Sequence, residues 1–119
     1  MANQPGDPVH GEAIIDGDAS AGVPVILYWP GSVQVRTLAA DEVLHIIDVQ
    51  IACETAADIW LCADGKVAGE YVVYGAVAVT NWFTMSFQQP RACPRGTGLI
   101  FFGAATNKNA CIIEGFITK

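Results

Sequence analysis

The chain has 119 residues, 52% of them hydrophobic and only 15% charged, with a formal net charge of −6. That length is room for one domain with one core, and so much apolar area excludes a disordered tail, which lacks the surface to offset its ordering entropy. No run of 18 apolar residues is present to span a membrane, no basic and apolar leader is visible, and two cations among eleven acids in residues 1–70 argue against nucleic acid as a partner.

Residues 1–22 are rich in Gly, Pro, Asp and Ala, with Val9, Ile14 and Ile15 as the only large aliphatic anchors. Ordering costs about 1–2 kcal/mol per residue, so this stretch is expected to be an extended arm that orders against a partner, with the folded domain over 23–119. Strands follow at Val23–Trp29, Ser32–Leu38 and Val43–Cys53. In the last of these, His45, Ile47, Val49, Ile51 and Cys53 fall on one face, with Asp48 and Gln50 on the other. Asp58–Ala63, a hairpin turn at Asp64-Gly65-Lys66, Glu70–Thr80, Trp82–Gln88, Gly98–Gly103 and Ala110–Thr118 complete the series. Leu38–Leu44 is the single helical candidate, at best one turn. About eight short strands roughly ten residues apart predict an all-β, antiparallel β-sandwich, jelly-roll-like, behind an extended N-terminal arm.

Two strands break the one-sided pattern. Over Tyr71–Val79 and Gly98–Gly103 both faces are apolar, whereas a strand in a two-layer sandwich needs one buried face. Cover from a second subunit is the reading adopted, with Val72, Tyr74, Val77, Ile100 and Phe102 as the expected oligomer interface. Residues 71–119 hold one acid, Glu114, and four bases, and ends of opposite sign would orient identical subunits against one another.

Little points to chemistry. The four cysteines, Cys53, Cys62, Cys93 and Cys111, form no C-x-x-C pair and sit beside apolar runs, as buried reduced thiols do. Asp16-Gly17-Asp18 lacks the spacing of a calcium loop. Three serines and two histidines stand in no catalytic motif. No metal, no cofactor and no enzymatic activity are therefore expected.

The stretch from Val35 to Ile51, with its acidic loop Asp41-Glu42 leading into a long strand, resembles the opening of the small jelly-roll proteins that decorate tailed-bacteriophage heads. The later Trp82–Phe87, the loop Pro90–Gly96 and the closing Cys111–Ile117 are similar in order and spacing, so the resemblance spans about residues 33–119. The same layout occurs in trimeric receptor-binding and tumour-necrosis-factor-like jelly rolls. The resemblance implies a cement protein on the capsid exterior, assembled in the host cytoplasm, that bridges neighbouring major capsid subunits as a homo-oligomer, a trimer before a dimer. The expected partner-binding residues are then Val9, Ile14 and Ile15 of the arm and Trp82, which alternation sets on the polar side of its strand. The other reading is a glycan- or receptor-binding module of a phage tail or cell surface, with Trp29, Tyr74 and Trp82 as stacking aromatics.

Overall fold

The computed structural model describes the backbone of residues 6–16, 22–63, 72–103 and 108–119, and the side chains of these except 16, 54–58 and 72–83. It contains β1 (Asp7–Asp16), β2 (Val23–Pro24), β3 (Ile26–Tyr28), β4 (Val43–Ala63), β5 (Val72–Ala92), β6 (Leu99–Gly103) and β7 (Lys108–Thr118). All pairings are antiparallel, and the architecture is an all-β sandwich. The first layer runs β3-β1-β7-β4-β5, using residues 43–53 of β4 and the later half of β5. The second consists of β6 and the remaining halves of β4 and β5, with β2 on its margin. Among the described residues no helix is long and apolar enough to cross a membrane.

The two 21-residue strands β4 and β5 each contribute to both layers. Sequence spacing divided each of them in two. Asn81 was expected to be a break, yet it pairs with Cys53 inside the ladder. The β4–β5 register shifts between Cys53 and Ala57 and again before Ile59. Such irregularities let a strand bend from one layer into the next. The expected strand Ser32–Leu38 is reduced to one bridge, Val35 with Tyr28, and Val23–Trp29 is interrupted at Val25. The Asp64–Lys66 turn lies outside the described residues.

The expected arm over residues 1–22 does not hold for its described part. Residues 7–16 are not an arm: they form β1, paired residue for residue with β7 from Asp7↔Ile117 to Asp16↔Lys108 and flanked by β3 on the other side. Val9, Ala13 and Ile15 are buried in the core. The period of two was hidden because the inward position between Val9 and Ala13 is Gly11, where a Cβ would come within 2.6 Å of Ile113 Cγ1. Small residues stand here because the strand packs closely, not because it is unstructured.

A second correction concerns the face of β4. Leu44 and Ile46 are fully buried, and then Val49, Ile51 and Cys53. The inward phase slips by one residue at Ile47, where β4 steps from Ile46↔Gly115 to Asp48↔Glu114 against β7. An extra residue of this kind is a β-bulge. It puts His45 on the outer face, contrary to the alternation expected from the sequence. On the other side the same step, Ile46↔Arg91 to Asp48↔Ser86, leaves residues 87–90 of β5 bulged out. Pro90, which has no N–H to give a ladder, falls in that bulge.

The core lies between the layers. Val9, Ile15, Ile113 and Ile117 line it from β1 and β7, Ile59, Leu61, Leu99 and Phe101 from β4 and β6, and Val25 and Leu27 close one side.

Candidate functional site

Adjacent strands of the first layer place their outward residues in transverse rows. Register carries one row from Ser86 through Asp48, Glu114 and His10 to Tyr28, and the next from Thr84 through Gln50, Ile112 and Glu12 to Ile26. Where these rows meet β1, the His10 ring bonds two carboxylates: Nδ1 to Glu114 Oε1 at 2.6 Å and Nε2 to Glu12 Oε2 at 2.7 Å. A neutral imidazole has one N–H, so only the imidazolium donates to both. Partial burial of the ring disfavours its charge, but the two carboxylates outweigh this and raise the His10 pKa above its ordinary value. With both nitrogens engaged, neither is left to accept a proton from a bound molecule.

This trio forms one wall of an open cleft of about 430 Å³ whose other wall is the loop Pro30-Gly31-Ser32-Val33. The loop is anchored by Arg36. Its guanidinium donates to both carboxylate oxygens of Glu42, at 2.9 and 2.7 Å, and to Asp7 Oδ2 at 3.3 Å, and its centre lies 5.2 Å from the Trp29 ring centroid. Glu42 is buried and also accepts the Ala39 N–H at 2.8 Å. The Arg36 and Ala39 bonds hold the Glu42 carboxyl down to about 2, well below the usual carboxylate range. The Trp29 and Arg36 N–H groups donate to the Gln34 and Leu27 carbonyls, so the loop covers the edge of β3.

Around this cleft the surface is apolar. The exposed large hydrophobic side chains among the described residues are Ile14, Ile26, Trp29, Val33, Val35 and Met85, and all but Met85 lie on β1, β3 or the loop after β3. Val33, at 93% exposure, stands at the tip.

Of the four expected partner-binding residues, Ile14 is 66% exposed, beside Glu12 and Ile26 on the outward face. Val9 and Ile15, each 1% exposed, face the core and cannot meet a partner. Trp82 lies opposite Ala52 in register, and its side chain is outside the described residues. So are the side chains of Val72, Tyr74 and Val77, three of the expected interface positions. Phe102, a fourth, is already buried within one chain, because Gly22 lies against it: a Cβ there would come within 2.7 Å of Phe102 Cε1. Ile100 is half-buried beside the same glycine. On the second apolar face of β6, Gly22 thus meets both side chains, burying Phe102 and leaving Ile100 half-buried.

The four cysteines are buried, and none is joined to another in a disulfide. Burial pushes the Cys93 and Cys111 thiols up to about 12. No group of three His, Cys, Asp or Glu side chains among the described residues is arranged to hold a metal ion. Sequence reasoning missed the His10 cluster altogether. The signal was the alternation His10-Gly11-Glu12, legible only once β1 is known to be a strand.

No family model matches the chain, and no curated protein matches it. Among solved structures it is similar to the C-terminal CBM6 of LamC, a marine laminarinase from Zobellia galactanivorans. The identity is 18% over 95% of this chain and 100% of that one, with a TM-score of 0.42.

Proposed function

We propose that the chain is a docking protein whose β1–β3 side and following loop attach to a larger protein surface. Following the resemblance of residues 33–119, that surface is the outside of a phage head, whose shell the protein stabilises by bridging major capsid subunits. The observation that carries the docking reading is the gathering of Ile14, Ile26, Trp29, Val33 and Val35 on one side of the sandwich. Exposed hydrophobics scattered singly are ordinary, and a larger apolar surface with a polar rim marks an interaction site; five of the six exposed large hydrophobics among the described residues belong to β1, β3 and the loop after β3. Here the rim is His10, Glu12 and Glu114, and the Arg36–Glu42 pair stiffens the loop that carries the apolar tip. A ligand that binds only the assembled lattice adds its binding free energy to the stability of the shell, and many copies multiply a modest single contact.

The test is co-sedimentation with expanded heads assembled from the major capsid protein encoded in the same genome. Saturable binding is expected, weakened at least tenfold by Val33→Asp. Binding to a glycan array without affinity for heads overturns this function in favour of the glycan-binding reading. The Trp29 ring, with Arg36 against it, offers less stacking surface than that reading asks for.

A further inference from the structure

The two edges of the first layer are treated differently. At the β3 edge the chain covers itself: Val35 bridges Tyr28, and backbone bonds from Trp29 to Gln34 and from Arg36 to Leu27 occupy the outer groups. At the β5 edge nothing does so among the described residues, since β5 pairs with β4 alone. Residues 81–86 of that edge keep unbroken register with β4 from Asn81↔Cys53 to Ser86↔Asp48. Below them the register is irregular, and above them comes the bulge with Pro90. Exposed edges are ordinarily blunted by charge, proline, short length or a covering loop. Residues 71–90 contain no Asp, Glu, Lys or Arg at all, and their only proline is Pro90.

We infer that residues 81–86 pair with the same segment of a second copy of this chain, antiparallel about a twofold axis at Thr84. An isologous contact is the arrangement in which one patch meets itself, and opposed residues must share a face for the sheet to continue. An axis at Thr84 meets both conditions. Thr84 then faces its own copy, a favourable cross-strand pair, Met85 faces Phe83, and Ser86 faces Trp82. No charge opposes a like charge: the nearest acid, Asp48, is the register partner of Ser86, and Ser86 meets Trp82, whose own register partner is Ala52. The exposed Met85 becomes a contact of this seam. The two five-stranded layers join into one sheet, giving a twofold pair in place of the trimer that the head-protein resemblance favours. This pairing is independent of whatever the β3 side binds.

Thr84 is exposed, so charge there is compatible with the fold. By light scattering at micromolar concentration the unmodified chain should have about twice its 12.6 kDa mass. Thr84→Lys and Thr84→Glu should each be monomeric with unchanged circular dichroism, and mixing them one to one should restore the doubled mass, since the axis sets Lys against Glu. Amides within 81–86 of the unmodified chain should gain protection as concentration rises, a readout that stands even if a variant fails to fold. A monomeric unmodified chain, variants that remain dimeric, folded variants that stay monomeric when mixed, or concentration-independent exchange in 81–86 would each overturn the inference.

Discussion

The Arg36 guanidinium grips both carboxylate oxygens of Glu42 beneath the loop that carries Val33. The unfolded carboxyl titrates near 4.5 and the folded one near 2. A depressed folded value means that this contribution to stability is fully present above about pH 4.5 and is lost as pH falls towards 2. Glu42→Gln should therefore lower the melting temperature at neutral pH and flatten its decline over that window. Parallel acid limbs for the two proteins would refute the role given to this pair.

The two histidines should titrate in opposite directions from their common reference. His10, held by Glu12 and Glu114, is raised, whereas burial lowers His45, whose ring stacks on Phe116 with centroids 4.6 Å apart. Imidazole C–H resonances followed by NMR should show His45 losing its proton first as pH rises. For His10 the folded value exceeds the unfolded one, so its stabilisation is complete below about pH 6.5 and is lost as pH climbs through the folded value. His10→Gln should remove that loss. Co-titration of the two rings would show that the carboxylate clamp is absent in solution.

Neighbouring isoleucines in β1 should behave as opposites. Ile15 is fully buried, and its replacement by Ala should cost about 2–5 kcal/mol in chemical denaturation. Ile14 points outward, and Ile14→Ala should leave stability within about 0.5 kcal/mol while weakening docking. Deleting residues 1–15 should unfold the chain, because β7 would keep only β4 as a neighbour and the core would lose Val9, Ala13 and Ile15. A stable truncated protein would restore the arm.

Native thiols should be inert. Cys53, Cys62, Cys93 and Cys111 are buried and form no disulfide, and the thiolate is the reactive form. An aromatic disulfide reagent at pH 8 should modify none of them before unfolding and all four after it. Dithiothreitol should leave the melting temperature unchanged. Rapid modification of the folded protein would contradict the burial of Cys93 and Cys111.

Fold class was legible in the sequence because β6 and β7 present unmistakable runs of strand formers between turn residues. The β1 strand was not, since Gly11 and Ala13 fill inward positions by close packing rather than by bulk. The face of His45 was misread because alternation carries no mark of the extra residue at Ile47, a feature set by pairing with β7 and β5. The His10–Glu114 contact joins residues 104 positions apart, and no local window contains it. Ile14 was found for the wrong reason, as part of an arm, yet it is one of the exposed side chains on the outward face of β1.

The pairing of β1 with β7 also orders events during synthesis. The 104 positions from His10 to Glu114 take on the order of 5–20 s to translate. Throughout that interval β1 has only the three residues of β3 to pair with, and contacts as distant in sequence as those with β7 close slowly even afterwards. β1 is thus held without its long partner until β7 has been made, with its apolar side chains open to other contacts in the meantime.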